Sequence, residues 1–593
     1  MTTAATAAAS QSSLSWPIRG WNKRWVPAGP FATAGLITER VLTARGHTDP
    51  SAIANFLEPK LTDLHDPSLI PDLDRAAARL LDALKAREPI AIYGDYDVDG
   101  ITSTAILYHT LKALGPDADI RTYVPHRLDE GYGLNVEAIN QLAAAGAKVI
   151  VSVDCGVTAH APALAAKTAG VDLIITDHHN PPARLEDLPQ AYAVVHPRRP
   201  DSTYPFDHLS GAGVAYKLAW RLATLDFGSG KASPALRTLL VDLLAFAALG
   251  SIADVVPLLG ENRVIARFGL ARIKDTPLIG LRALVDAARL TGDKVSAWDV
   301  GFRLGPRLNA CGRMAHAKDA VELFTTADES RAAAIATDLE ARNSERRAVE
   351  QKILETAIAR VEAEGLARDD RRAIVLADAA WHKGVVGIVC SRLVDRYCRP
   401  TILLQIEGDS AHGSGRSIDC YNLHAGLVAT AEHLDRFGGH DMAAGMGIRV
   451  DRLPAFIDAF TAHANQHITL DQLVHNLRVD AVTSLGELTP RAVQSLESLA
   501  PFGRSNPGVH VLLPGLTIQN TPTPLGKGGE HLALTVRHAG DSHAMKLVAW
   551  RWGAHRSKLA AGVRLHAVVR PQISTYGGRT TVEPELLDLA ILE

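Results

Sequence analysis

Acidic residues and histidines gather at a few points of this sequence, in a spacing suited to divalent cations. Ile90–Tyr93 runs into Gly94-Asp95-Tyr96-Asp97-Val98-Asp99-Gly100. A second apolar run ends at Val153 and gives Asp154-Cys155-Gly156. A third ends at Thr176 and gives Asp177-His178-His179-Asn180, and further on Ile252-Ala253 leads to Asp254. Carboxylates held close together repel one another, and without a cation some take up protons. A pair of divalent ions resolves that conflict, and carboxylate oxygens with one or two imidazoles suit manganese or magnesium. Two such ions, roughly 3.5–4 Å apart, activate a bridging water and hold both oxygens of a phosphoryl transfer. Taken alone, Asp95/Asp97/Asp99 reads as a polar turn or the start of a calcium loop. The calcium loop fails, because its twelfth position is Ile106 rather than Glu. His178-His179 alone reads as an ordinary surface or core pair. The joint occurrence at successive strand ends points to a metal site.

The elements that must position these residues follow from the pattern around them. From about 41 to 325, short β-branched runs (Ile90–Tyr93, Lys148–Val153, Leu173–Thr176) alternate with helical stretches such as Ser103–Leu114 and Val136–Ala145. That alternation predicts an α/β domain with a parallel sheet covered by helices. Each acidic cluster then lies just past the C-terminal end of a predicted strand, the edge where such sheets bind ligands. Residues 326–366 read as one long solvated connecting helix without a clean heptad. A second α/β unit spans 367–468, with strands at Arg372–Leu376 and Thr401–Gln405 around a helix at His382–Tyr397.

After 468 the pattern changes to short strands: Val509–Leu513, Leu532–His538, Lys546–Trp550, Leu565–Pro571 and Arg579–Val582. Five such strands predict a small β-barrel of the OB type over 469–593. Between 491 and 580 stand eleven Lys/Arg against three Asp/Glu, together with Trp550, Trp552 and Tyr576. Basic charge with stacking rings is what a single-strand groove needs, though an ordinary solvated basic face has the same composition.

The 593 residues carry a net charge of −3, with 47% hydrophobic and 21% charged residues, a soluble composition. An acidic total is compatible with a phosphate substrate if carboxylates hold metal ions. No uninterrupted apolar run reaches the roughly 18 residues of a membrane helix, so no membrane is expected. The five cysteines (155, 311, 390, 398, 420) form no CxxC, which argues against structural zinc and disulfides. The first fifteen residues lack Lys and Arg, unlike a presequence. Residues 1–40 are therefore expected as a tail and lead-in, and the protein as cytoplasmic.

The motifs resemble those of the DHH phosphoesterases, which take their name from the triplet found here at Asp177-His178-His179. Asp95–Gly100, Val153–Gly156, Thr176–His179 and Gly250–Val255 are similar to that family's four motifs in order. Val124–Gly133, Arg303–Met314, Trp381–Leu393, Phe437–Gly445 and Pro501–Pro507 narrow the resemblance to the RecJ family. The resemblance implies a DHH catalytic domain at 41–325, a DHHA1 domain at 367–468 and a C-terminal OB-fold. It also implies 5′→3′ hydrolysis of single-stranded DNA to 5′-mononucleotides with two Mn²⁺ or Mg²⁺ ions, in DNA repair and recombination. It makes Asp97, Asp99, Asp154, His178 and Asp254 metal ligands, with Asp95 near the same ions. His179 would contact the scissile phosphate, and Arg307 and Asn309 would support substrate phosphates. Many relatives carry a histidine where this chain has Tyr93, which Asp95 would offset.

Ser414-Gly415-Arg416 is expected to hold the terminal 5′-phosphate, with Gly438-Gly439-His440 beside it and Arg127 as a further contact. A single-strand-binding protein and a helicase are the partners this implies, with a monomer as the working state. Two other readings stay open: a DHH-type phosphodiesterase for short RNA or cyclic dinucleotides, and a non-catalytic replication scaffold. The first needs no C-terminal barrel. The second is disfavoured by the complete set of ligand-type residues.

Overall fold

A computed structural model describes residues 14–126, 130–228, 230–314, 317–576 and 579–592, without the side chains of 313, 314 and 576. They divide into two compact units: 58–347 with 501–507, and the remainder.

The first unit is built on five parallel strands: β1 (Ile90–Gly94), β2 (Ile120–Tyr123), β3 (Val149–Val153), β4 (Asp172–Thr176) and β5 (Ala193–Val195). Their order is β2-β1-β3-β4-β5. The sheet is buried on both faces because successive side chains point to opposite sides and nearly all are apolar. Ile90 and Ile92 join a core with helices α1 (Val98–Leu114), α4 (Gly211–Asp226) and α5 (Pro234–Ala253). Ala91 and Tyr93 face the other way, toward α2 (Val136–Ala144) and α3 (His160–Thr168). Strands β2 and β5 escape the sequence reading because each is a short edge segment.

One sequence expectation is corrected here. Asp254 does not follow a strand; it caps the C-terminus of α5, a 20-residue helix. Residues Leu243–Ile252 are all buried, so they show no 3.6-residue alternation, and a few of them read like a buried strand. By length and composition α5 could cross a membrane, yet 67% of its apolar window is buried within this unit. A five-residue π-helix, Val300–Leu304, leads into α6 (Gly305–Met314). The expected connector is α7 (Glu329–Ala363), 35 residues of uninterrupted helix, about 50 Å at 1.5 Å per residue.

The second unit carries a mixed sheet of β6 (Ile374–Asp378), β7 (Thr401–Glu407), β8 (Ser410–Arg416), β9 (Arg436–Gly439) and β10 (Ala443–Arg449), in the order β9-β10-β8-β7-β6. Helix α8 (Val386–Tyr397) lies between β6 and β7 in sequence. Further along, β11 (Val511–Ile518), β12 (His531–His538), β13 (Ala544–Ala549), β14 (Arg564–Arg570) and β15 (Glu585–Ile591) pair in the circuit β11-β14-β15-β13-β12 and back to β11.

The expected fifth strand, Arg579–Val582, instead pairs antiparallel with Ile573–Tyr576 in a separate two-stranded sheet. The strand that completes the circuit is β15. Its alternation is broken by Asp588, an acid with 0% exposure. Asp588 is satisfied from a distance: Trp25 Nε1 donates to it at 2.8 Å, and the Asn22 and Lys23 amides each donate at 3.0 Å. The lead-in is therefore not a loose tail throughout. Ile18–Arg19 and Arg24–Pro27 form a strand pair, and the latter runs parallel to Asn476–Val479.

Candidate metal centre and phosphate pocket

The turn after β1 delivers three carboxylates in different directions. Asp97 caps α1, accepting from the Asp99 amide at 2.9 Å and the Gly100 amide at 3.1 Å. Asp99 turns into the interior, where the first amides of α4 hold it: Gly211 N donates to Oδ2 at 2.7 Å and Ala212 N to Oδ1 at 2.9 Å. A helix N-terminus favours a negative charge in that position. Asp154, past β3, adopts a φ of +64° and is buried.

His178 Nε2 lies 3.1 Å from Asp154 Oδ1, 3.6 Å from Asp254 Oδ2 and 3.8 Å from Asp99 Oδ2. Single oxygens of Asp95, Asp97 and Asp154 come within 4.8 Å of one another. Thus Asp95, Asp97, Asp99, Asp154, His178 and Asp254 converge, as the sequence pattern requires.

The donor set fits a divalent cation pair. Burial and then the neighbouring acids push Asp99 and Asp154 well above the usual carboxylate range. Burial and then Asp97 raise Asp254 to about 7. Burial and then His179 lower His178 to about 3, so its imidazole is neutral at neutral pH and keeps a lone pair. His178 Nε2 and Asp154 Oδ1 are buried without a hydrogen-bond partner among the described residues. Orphaned buried polar atoms are costly, and a cation among them removes the cost.

Asp177 works differently from the other acids. Its Oδ1 accepts from the His178 amide at 2.7 Å, the His179 amide at 3.0 Å and His179 Nδ1 at 2.8 Å. Its Oδ2 accepts from the Val157 amide at 2.9 Å. Burial opposes its ionisation, but the His179 contact and these amides win and hold it below the usual range. Burial would lower His179, but Asp177 raises it to about 9.

Tyr132 lies against the same ring, its hydroxyl 3.1 Å from His179 Nδ1, and it also donates to the Asp154 carbonyl at 3.3 Å. Sequence reasoning missed Tyr132; its signal is the flanking pair Gly131 and Gly133, both at φ +83°. Tyr93 makes no described contact with the ligand atoms; its hydroxyl donates to the Gly133 carbonyl at 3.0 Å and supports that turn.

Arg307 and Asn309 lie on α6, whose Gly312 packs against the Tyr96 carbonyl. Arg307 is committed to Glu340, with Nε 2.6 Å from Oε2, and makes no described contact with the acidic cluster. Arg127 lies outside the described residues.

In the second unit, Ser414, Gly415 and Arg416 end β8, opposite Gly445, Ala444 and Ala443 of β10. A Cβ built on Gly387, in the first turn of α8, would stand 3.3 Å from both Arg416 Nη2 and Ser414 Oγ. A guanidinium and a hydroxyl thus face a helix N-terminus. A guanidinium beside the first turn of a helix is a combination that suits an anion. Gly439 ends β9 at φ +140°, and His440 is exposed beside it.

The three rings expected to stack on a strand divide. Trp550 is 51% exposed and edge-on to His531. Trp552 is buried against Trp21 and His555. The side chain of Tyr576 is outside the described residues.

An acid-rich centre at the C-terminal edge of a parallel sheet, with a histidine pair just past β4, defines a phosphoesterase of the DHH class. Residues 89–248 match the DHH family N-terminal domain, 370–466 the DHHA1 domain and 479–588 the RecJ OB domain. The chain is 37% identical over 555 residues to the single-stranded-DNA-specific exonuclease RecJ of Bacillus subtilis, covering 93% of this chain and 68% of that one. It is 35% identical over 495 residues to RecJ of Thermus thermophilus, covering 83% and 68%. The crystal structure of the Thermus thermophilus protein with Mn²⁺ superposes with a TM-score of 0.76 at 31% identity, over 93% of this chain and 75% of that one. The corresponding Mg²⁺ complex gives 0.71 at 30% identity, over 93% and 74%. The chain belongs to the RecJ family.

Proposed function

We propose that this chain is a metal-dependent exonuclease that degrades single-stranded DNA from its 5′ end and releases 5′-mononucleotides. The observation that carries the reading is the convergence of Asp95, Asp97, Asp99 and Asp254 on Asp154 and His178, whose Oδ1 and Nε2 are buried without hydrogen-bond partners among the described residues. Curated relatives named as single-stranded-DNA-specific exonucleases support the substrate class. Asp95, Asp97, Asp99, Asp154, His178 and Asp254 would hold two Mn²⁺ or Mg²⁺ ions. When bound, such a pair supplies an activated water at neutral pH and a clamp on the reacting phosphate.

The remaining roles belong to the chain itself. His179, kept charged by Asp177, donates to a non-bridging or leaving oxygen of the scissile phosphate. Tyr132 holds the His179 ring in place. Ser414, Gly415, Arg416 and the first turn of α8 would grip the 5′-terminal phosphate, with Gly439 and His440 on the adjoining backbone. Trp550 and the basic residues around it would hold the strand by stacking and charge. Arg307 and Asn309 would support substrate phosphates only if Arg307 exchanges Glu340 for a phosphate oxygen. We place the chain in the cytoplasm as a monomer in DNA repair and recombination, with a single-strand-binding protein and a helicase as partners.

Digestion of 5′-phosphorylated single strands, their duplex and 5′-blocked strands with Mn²⁺ tests the reading, with Asp154→Ala as control. Stepwise mononucleotide release from the open single strand alone is expected. Cleavage confined to cyclic dinucleotides or short RNA, unaffected by losing residues 470–593, would overturn it. So would Mn²⁺ binding with no hydrolysis of any strand.

A further inference from the structure

Two side chains outside the ligand set grip the histidine turn from behind. His196 is the first residue after β5 and is fully buried. The Arg198 amide donates to its Nδ1 at 2.9 Å. A ring nitrogen that accepts a hydrogen bond carries no proton, so the proton of the neutral ring is on Nε2. Nε2 lies 2.7 Å from the carbonyl oxygen of His179, and with the tautomer fixed it is the donor of that bond. The Arg198 guanidinium completes the grip: Nη2 donates to the His178 carbonyl at 2.6 Å and Nη1 to Asn180 Oδ1 at 3.3 Å. Both carbonyls of the His178-His179 pair are therefore held by one loop. On the opposite side, Asp177 holds both amides of the same pair. Four backbone groups of two successive residues are thus fixed from two directions.

Such a turn has little freedom to rotate its peptides, so the Cα–Cβ bonds that carry the two imidazoles keep their direction. His178 Nε2 must stay within reach of three carboxylates, and a rotation of the peptide would remove it. We infer that His196 and Arg198 are positioning residues, a strut that aims the two imidazoles at the metal centre. The inference rests on the metal reading above and adds residues to it. Hydrogen-bond partners of ligating residues typically account for about 10–100-fold in metal affinity. The strut differs from ordinary loop packing because its contacts go to the peptides of His178, a metal ligand in that reading, and of His179, its phosphate contact, rather than to the sheet.

The test is Mn²⁺ titration of the metal-free full chain by calorimetry, for the unaltered protein and for His196→Ala, His196→Gln, Arg198→Ala and Arg198→Lys. Gln reaches the position of Nε2 and restores a donor to the His179 carbonyl; Ala does not. His196→Ala and Arg198→Ala are expected to weaken Mn²⁺ binding about 10–100-fold. His196→Gln should recover most of the loss. In digestion assays at saturating Mn²⁺, kcat should fall while KM for the strand stays within about twofold, because the strut does not touch the strand. Thermal unfolding of each metal-free variant controls for simple loss of fold, and Arg198→Lys is the mildest of the set.

Affinity and kcat unchanged in His196→Ala and Arg198→Ala would overturn the inference. Equal losses in His196→Gln and His196→Ala, tracking a common fall in Tm, would reduce the pair to a structural support and overturn it as well. Failure of the unaltered chain to bind Mn²⁺ is a separate result, and it would sink the metal reading itself.

Discussion

A methyl group on Gly250 would stand 2.4 Å from Oδ1 of Asp99. The same atom would meet Thr102 Oγ1 at 2.5 Å, so neither neighbour has room to give. Gly211 has the same relation to Asp154, whose Oδ1 would lie 2.5 Å from an added Cβ. These glycines are what let two buried carboxylates reach the centre. Gly250→Ala and Gly211→Ala should each cut kcat by about 100-fold or more, as expected for misplacement of catalytic groups by about 1 Å. Steady-state digestion with Mn²⁺ checks this. Retention of wild-type kcat by either variant would mean that the carboxylate positions are not fixed by backbone approach.

The acid cluster should make the metal-free chain sensitive to pH. Asp254 has a folded pKa of about 7, above the ordinary carboxylate value of 3.8 expected in the unfolded chain. A carboxylate raised in this way contributes stability below its unfolded pKa and loses it as pH rises through the folded one. The metal-free chain should therefore lose stability between about pH 4 and 8, and Mn²⁺ should reverse the loss. Asp254→Asn should stabilise the metal-free chain at pH 8 by about 1–3 kcal/mol and abolish much of the Mn²⁺ effect. Denaturant melts with and without chelator provide the measurement.

At the phosphate pocket, Arg416→Ala should remove the preference for 5′-phosphorylated over 5′-hydroxyl strands. A lost charge-assisted contact of this kind is worth about 1.5–3 kcal/mol, or roughly 10–100-fold in kcat/KM. Gly387→Ala, which brings a methyl to 3.3 Å from Arg416 Nη2 and Ser414 Oγ, should have a smaller effect in the same direction. Equal rates on the two kinds of 5′ end in the unaltered chain would dispose of the pocket.

Trp550 and Trp552 should behave as opposites. Trp550→Ala removes an exposed ring and should weaken single-strand binding by about 1–3 kcal/mol without changing Tm. Trp552→Ala empties a buried position and should destabilise the second unit instead. Fluorescence anisotropy with a labelled strand and thermal melts separate the two effects.

Trp25 is fully buried and supplies the side-chain donor to Asp588. Trp25→Ala should cost about 3–5 kcal/mol of stability, and the shortfall at Asp588 adds to it. The expected readout is a lowered unfolding midpoint in denaturant with the acidic centre of the first unit still able to bind Mn²⁺. An unchanged midpoint would show that the lead-in strand is dispensable.

Much of the architecture was legible because it is written locally. The strands carrying Asp95, Asp154 and Asp177 are short β-branched runs bounded by glycine and polar residues, and Glu329–Ala363 has no glycine or proline to stop it. Asp254 was legible as a motif residue but not as a helix cap, because a helix buried all round loses its periodic signature. Asp588 concealed its strand, since a buried acid in β15 makes sense only once Trp25 is known to lie against it. His196 stood in plain view after an apolar run, yet nothing in its neighbours announces a bond to the His179 carbonyl.

The sequence by itself determined the chemistry of the donor set: which carboxylates and imidazoles are present, in what order, and on which kind of element. It did so because residue type and short-range periodicity are local properties. Only the tertiary structure decided which of them meet. Asp99 is held by amides of residues 211 and 212, Asp154 needs a glycine at 211, and His178 faces acids from three other segments. Those contacts join residues far apart in the chain, and their geometry is set by how helices pack on the sheet, which no local pattern records.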